Sequence, residues 1–323
     1  MASVLKQDYF HNEAAAFAAL EAIMWPAGEP DHCPHCGVAG KARRLGVQTS
    51  KPSKRNPQGK PVHGLWKCYA CRSQFTVRKG TVFEESRLEL HRWFQAAFLM
   101  CSSKKGVSAN QLHRTLGVTL KTAWFLAHRI REAMREGNLS VPFGVGGGAV
   151  EADEAFISRK RRAGDPKLYG QKSMKVLTLI DRETKQARSA VIENLKPGTL
   201  WQVIGKNVSR EARLMTDEAG QYRFMGREFA DHQTVNHGKE EYVRGDAYTN
   251  TAEGYFSIFK KGMKAVYQQC DEKHLHRYLA EFDFRYNHRI ALGTDDVGRA
   301  ALALKGAKGK RLTYRRTHTA EAA

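Results

Sequence analysis

Three acidic residues and four cysteines are the side chains whose types and spacing here can do chemistry. Asp153 and Asp217 stand at the ends of separate stretches that read as strands, and Glu253 opens a helical stretch farther on. Hard-oxygen ligands drawn from different elements suit two Mg²⁺ ions about 3.5–4 Å apart. One ion activates water or a 3′-hydroxyl, and the other stabilises the leaving oxygen of an in-line displacement, so no covalent nucleophile is required. Asn250, Glu253, Ser257 and Lys260 recur at helical spacing on one polar face, while Tyr255, Phe256, Ile258 and Phe259 turn toward a core. A carboxylate and a lysine two turns apart could hold a metal and a phosphate side by side. Plainer readings compete. Asn250 and Glu253 also fit a capping box. Asp153 lies between Glu151 and Glu154, so strand register decides which acid faces the site, and Asp217 has Glu218 beside it.

The cysteines fall in two Cys-x-x-Cys pairs, Cys33 with Cys36 and Cys68 with Cys71. Each pair sets two thiolates at the tip of a tight turn, and together they complete the tetrahedral sulfur shell that zinc prefers. A rubredoxin-like iron site would use the same four thiolates, but no electron-transfer apparatus accompanies them, and zinc is the better reading. Trp66 and Phe75 supply the small apolar patch that a metal-folded ribbon needs. Cys101 and Cys270 sit among helical apolar residues and read as packing.

These groups need elements to position them. A short helix spans residues 8–25, and a zinc ribbon runs to Val82, with a basic hairpin or loop (Lys51, Lys54, Arg55, Lys60) between its cysteine pairs. From Leu88 to Met134 the period is helical. Ser108 and Gln111 form a capping box, Gly117 breaks the pattern, and Thr119 caps a second helix that buries Ala123, Ala127, Ile130 and Met134. Lys121, Thr122, His128 and Arg129 then turn outward, a helix-turn-helix arrangement suited to the major groove. The glycine-rich stretch 141–148 reads as a flexible linker. Beyond it the pattern is α/β, and the tail from 291 to 323 (Lys305, Lys308, Lys310, Arg311, Arg315, Arg316) reads as a disordered basic arm. The expected domains are 1–82, a ribbon with its preceding helix; 83–140, a helix-turn-helix segment; 149–290, a catalytic α/β domain; and the tail.

With 53 Lys and Arg against 33 Asp and Glu, the formal charge of +20 calls for a polyanionic partner, of which nucleic acid is the usual one. The first ten residues lack an apolar signal core and no uncharged run approaches a membrane span, so a cytoplasmic, nucleoid-associated protein is expected.

The order of motifs resembles insertion-sequence transposases of the fifteen-ninety-five family. It runs from Cys33-Pro34-His35-Cys36-Gly37 through Trp66-Lys67-Cys68-Tyr69-Ala70-Cys71 and Ser102-Ser103-Lys104-Lys105-Gly106 to Val150-Glu151-Ala152-Asp153-Glu154. It continues with Thr216-Asp217, Val243-Arg244-Gly245, Asn250-Thr251-Ala252-Glu253-Gly254 and Lys260. The resemblance implies an RNase-H-like fold in the second half, a mixed sheet flanked by helices. It further implies Asp153, Asp217 and Glu253 as ligands of Mg²⁺ or Mn²⁺ and Lys260 on the DNA backbone. Either Glu253 or Asn250 can be the third ligand. Where the family often shows glycines, this chain has a basic loop, Arg159-Lys160-Arg161-Arg162, taken as a DNA contact. His232, Asn236 and His237 fall in a polar loop, where satisfied surface histidines are commoner than proton-transfer groups.

The function expected is a DNA transposase that binds element ends and cuts and joins strands, acting as a homo-oligomer on double-stranded DNA. The alternatives are a non-catalytic zinc-ribbon and helix-turn-helix regulator, a decayed transposase that only binds, or a nuclease of branched DNA.

Overall fold

The computed structural model describes residues 3–54, 56–135, 141–158, 173–217, 220–222, 225–235, 250–268 and 270–313. In chain order the elements are α1 (Glu13–Met24), β1 (Ala42–Arg44), β2 (Gln48–Thr49), β3 (Pro61–Val62), β4 (Trp66–Cys68), β5 (Gln74–Phe75), α2 (Leu90–Ser102), α3 (Ala109–Leu116) and α4 (Leu120–Met134). Then follow β6 (Ala149–Ile157), β7 (Met174–Asp181), β8 (Gln186–Ile192), α5 (Pro197–Asn207), β9 (Arg213–Asp217), β10 (Asp231–Val235), α6 (Asn250–Gly262), α7 (Glu272–Asn287) and α8 (Asp296–Lys305). Contacts divide the chain into two compact units. One comprises Met1–Ser102, Ala109–Met134 and Asp295–Ala323; the other comprises Ser103–Ser108 and Arg135–Thr294. Ribbon, helical segment and chain end fall in one unit by this division, and the change of unit at Arg135 lies near the expected boundary at 140.

In the first unit, α1 starts where the Asn12 side chain accepts from the Ala15 amide at 3.1 Å, satisfying one of the helix's orphan donors. Phe17, Leu20 and Met24 are buried along it. β1, β4 and β5 form a three-stranded antiparallel sheet, and β2 pairs with β3 at the base of the basic hairpin. The chain end is not an arm over its described length. Asp295 caps α8 through the Gly298 amide at 2.7 Å, Ala300, Ala303 and Leu304 are buried, and Arg299 donates to the Cys101 carbonyl at 2.8 Å. Lys308 pairs with Asp31 at 2.6 Å and Arg311 with Glu85 at 3.1 Å, so this basic stretch is tied into the first unit. A composition rich in Lys and Arg concealed a capped, half-apolar helix.

The second unit is built on a five-stranded sheet in the order β10-β9-β6-β7-β8. β7 runs antiparallel to both its neighbours, β6 and β8, while β9 and β10 run parallel to β6. Each face carries a core. Ala155, Ile157, Met174, Val176 and Ile180 pack with Tyr255, Phe256 and Phe259 of α6 and Leu275, Leu279 and Phe282 of α7. Val150, Ala152, Leu177, Leu179 and Leu214 pack on the other side with Leu200 and Ile204 of α5. Period-two alternation along β6 thus assigns odd positions to the α6 face and even ones to the α5 face. The stretch 141–148 is not a free linker. Phe143 is buried, its amide donates to the Asn207 carbonyl at 2.7 Å, and the Gly144 amide donates to Asp181 at 3.1 Å. Gly144 has φ +72°, and a Cβ there would lie 2.4 Å from that of Ala212, so glycine is required by close packing.

Candidate catalytic and metal sites

The four thiols of the ribbon come together. The sulfur atoms of Cys33, Cys36, Cys68 and Cys71 all lie within 4.8 Å of one another, with Cys33–Cys71 and Cys36–Cys68 at 3.8 Å. A zinc–sulfur bond of about 2.3 Å in a tetrahedron sets sulfurs about 3.8 Å apart, so the donor set fits zinc. The turn carrying the first pair closes through Gly37 N to Cys33 O at 2.8 Å, with the His35 amide aimed at the Cys33 sulfur at 3.4 Å. The thiols cannot ionise independently. Hydrogen bonds from the Ser73 side chain and amide pull Cys71 down to about 6. Cys36 is lowered by its bond at Val38 but pushed up to about 12 overall by desolvation and by its thiol neighbours. A bound cation removes that conflict. Trp66 and Phe75 are buried as expected, and Trp66 also donates from Nε1 to Glu21 at 3.0 Å.

In the second unit, strand pairing and alternation sort the acids by face. β6 and β9 pair in parallel with Ala149 opposite Arg213 and Glu151 opposite Met215. The ladder ends there; two residues farther along each strand stand Asp153 and Asp217, and alternation puts both on the α6 face. Glu151 shares that face but is fully buried. It takes Arg182 Nε at 2.7 Å and the amides of Thr251 and Ala252 at 3.1 and 3.0 Å. Its charge therefore caps the N-terminus of α6 and pins that helix above the two aspartates. Nothing in the local sequence marked Glu151 as this clamp; it was one of three acids in a row.

Behind Asp153 a polar row crosses the sheet. Asp153 pairs with Thr178, and Thr178 with Ser189. The Ser189 hydroxyl donates to Asp283 of α7 at 2.7 Å, and Tyr255 of α6 donates to the same carboxylate at 2.5 Å. Both helices are thereby fixed at the height of the site. On α6, Asn250, Glu253 and Lys260 lie on the exposed face, as the periodicity implied. Burial pushes the Asp153 carboxyl up to about 6. The Glu154 amide opposes that shift at 2.7 Å, Asp217 and Glu253 reinforce it, and Lys260 opposes it. Asp153, Asp217, Glu253 and Lys260 therefore share one electrostatic field. They do not share one tight shell. Among the described residues the four cysteines are the only group of three or more His, Cys, Asp and Glu whose ligand atoms all lie within 4.8 Å. Ligands of one Mg²⁺ sit within about 4.2 Å of one another, whereas outer ligands of an ion pair span up to about 8 Å.

Residues 146–287 match the ISXO2-like transposase domain, and residues 11–74 match the transposase zinc-ribbon domain. The chain belongs to this transposase family. A protein of Halobacterium salinarum described as an uncharacterized protein in transposable element ISH50 is 24% identical over 291 residues, covering 85% of this chain and 91% of its own length. The crystal structure of the mariner Mos1 paired end complex with Mg aligns at a TM-score of 0.23 and 13% identity, over 64% of this chain and 75% of that one. That likeness is too slight to carry an argument.

The transposase's other expected site residues divide. Lys121 is exposed and Thr122 half-buried at the start of α4, where Thr119 caps the helix through the Thr122 amide at 3.2 Å. His128 and Arg129, expected to face DNA, are corrected: they are 1% and 7% exposed. His128 packs on Trp124 with ring centroids 4.2 Å apart, and Arg129 donates to the Leu312 carbonyl at 3.0 Å. His232 lies on β10, not in a loop, with its ring 2.9 Å from the Thr216 hydroxyl. Arg55, Arg159, Lys160, Arg161, Arg162, Glu218, Asn236, His237, Val243-Arg244-Gly245, Arg315 and Arg316 lie outside the described residues. Cys101 is buried and Cys270 half-buried against the α6–α7 core, both in packing positions. No described helix is long and apolar enough to cross a membrane.

Proposed function

We propose that this transposase binds the ends of its own element and cuts and joins DNA strands by metal-dependent phosphoryl transfer, on an RNase-H-like sheet. The observation that carries this reading is that Asp153 and Asp217 each stand two residues beyond the last paired residues, Glu151 and Met215, of adjacent parallel strands, with Glu253 and Lys260 acting on the charge of Asp153 from α6. Two divalent cations, when bound, supply charge neutralisation at the phosphate and a more acidic water or hydroxyl. Asp153, Asp217 and Glu253 are the residues that would hold them, with Asn250 the other candidate for third ligand. Lys260 would steady the phosphate backbone, and Glu151 keeps α6 at working height.

Grip on double-stranded DNA falls to the other unit and to the basic loop. Lys121 and Thr122 at the start of α4, with the ribbon's Lys51, Lys54 and Lys60, offer phosphate contacts, and Arg159, Lys160, Arg161 and Arg162 lie in the chain just beyond β6. Handling two element ends calls for a homo-oligomer, acting at the nucleoid of the cytoplasm. The test is cleavage of an element-end duplex in Mg²⁺ or Mn²⁺. Asp217→Asn should lower the rate on the order of 10³-fold. Undiminished cleavage in that variant would remove the assignment, and tight binding with no cleavage by the wild type would leave a regulator.

A further inference from the structure

One acid of the β6 triplet faces away from the site and is still tied to it. Glu154, by alternation, points to the α5 face, opposite to Asp153. It accepts a hydrogen bond from the Tyr222 hydroxyl and a longer one from Gln221 Nε2 at 3.4 Å. Tyr222 is 1% exposed and belongs to the α5-side core with Met225 and Phe229. Gln221 and Tyr222 sit in a short 3₁₀ turn, Gly220–Tyr222, that begins three residues beyond the end of β9 at Asp217. The β6–β9 ladder stops at Glu151 and Met215, and Asp217 is paired on its other side with Val235 of β10, so the ladder itself does not tie Asp217 to β6. The Glu154–Tyr222 bond adds a tie toward β6: it runs from the residue next to Asp153 to the turn that begins three residues past Asp217. Among the described residues the phenol has no hydrogen-bond partner besides Glu154, and burying it without one would be costly.

We infer that Glu154 and Tyr222 form a strap that fixes the spacing of the two aspartates, making them positioning residues for the cation site rather than ligands. This rests on the proposed catalytic reading for its purpose, but not for its test. Partners that orient metal ligands typically change metal affinity 10–100-fold when removed.

The experiment is Mn²⁺ binding by full-length protein, followed by the electron paramagnetic resonance of free Mn²⁺, with zinc left in the ribbon. Tyr222→Phe and Glu154→Ala should each weaken binding about 10–100-fold. Glu154→Gln keeps an oxygen that accepts from Tyr222 and should stay within a few-fold of wild type. Thermal unfolding in the absence of Mn²⁺ separates positioning from mere stability. A variant whose midpoint drops while its Mn²⁺ affinity stays put overturns the strap. So does a Glu154→Gln variant as damaged as Glu154→Ala, because that result would make the charge, not the bond, the active feature. Tyr222-dependent Mn²⁺ binding in a wild type that cuts no DNA would sustain the strap while sinking the transposition chemistry.

Discussion

In the ribbon, the four thiols sit on or beside strands of two and three residues, around a core of little more than Trp25, Trp66, Phe75 and Val77. In the second unit, the two aspartates sit on strands of nine and five residues with a packed core on each face of the sheet. The ribbon has too little apolar area to hold four mutually repelling sulfurs without an ion, so there the metal makes the fold. The sheet has a packed core on each face, so there the fold itself would hold the acids of the proposed cation site and bear the electrostatic strain of doing so. The raised Asp153 and Glu154 are the signature of that strain: burial, reinforced by neighbouring carboxylates, pushes them up to about 6 and about 7.

The contrast predicts its largest effect at the ribbon. Structural zinc contributes on the order of 10–16 kcal/mol to domains of this kind. Chelation, or Cys68→Ser, should therefore abolish amide-exchange protection across β1, β4 and β5 while β6 to β9 keep theirs. Simultaneous loss of protection in the sheet would break the distinction between the two regions.

The next effect tests whether the sheet holds its own site. Glu151→Ala leaves Arg182, largely buried, without its carboxylate and strips two amides at the start of α6. Removing one partner of a buried pair costs about 3–5 kcal/mol. Urea unfolding of the second unit should register that loss, and Glu151→Ala with Arg182→Ala should recover part of it. A loss below about 1 kcal/mol would mean that α6 is held by its apolar face alone.

Acidity gives a smaller and more specific effect. The folded chain keeps the Asp153 proton up to about 6, whereas the unfolded chain releases it near 3.8. Between those values the folded state binds more protons, so metal-free stability falls as pH rises, by about 3 kcal/mol for a shift of this size. Glu154 adds to the fall in the same direction, from 4.5 to about 7. The trend should shrink in Asp153→Asn and reverse when Mg²⁺ is added above pH 6. Denaturation midpoints compared across this window in chelator, for wild type and Asp153→Asn, provide the measurement. Identical slopes for the two proteins would deny that the site is strained.

How much of this was legible beforehand follows the same division. The cysteine spacing carries its own geometry, because a tight turn with two thiolates looks alike wherever it occurs. The acids did not: alternation separates Glu154 from Glu151 and Asp153, but only the pairing of β6 with β9 puts Asp153 and Asp217 on neighbouring strands, each two residues past the last pair. Glu151's role depends on α6, about a hundred positions along, and no local signal reaches that far. β10 was missed because Asp231, His232, Gln233 and Thr234 give a polar edge strand no apolar alternation. The outward reading of α4 failed for another reason. Its stripe of Ala123, Ala127, Ile130 and Met134 is buried as read, but α2, α3 and α8 also pack against this helix, so His128, Arg129 and Arg131 are buried too.

That last difference sets the smallest prediction, which separates surface charge from buried charge on one helix. Lys121 is exposed at the start of α4, whereas Arg129 is engaged with Leu312 and lies over the Phe125 ring at 4.7 Å. If α4 meets DNA with its first turn, Lys121→Ala removes one phosphate contact. The slope of log affinity against log salt should then fall by about 1 while stability changes by no more than about 0.5 kcal/mol. Arg129→Ala should do the reverse, lowering the unfolding midpoint of the first unit and leaving the salt slope of the surviving folded protein unchanged. Salt titrations of duplex binding by both variants decide it. A slope altered by Arg129→Ala and not by Lys121→Ala would place the DNA on a different face of the helix.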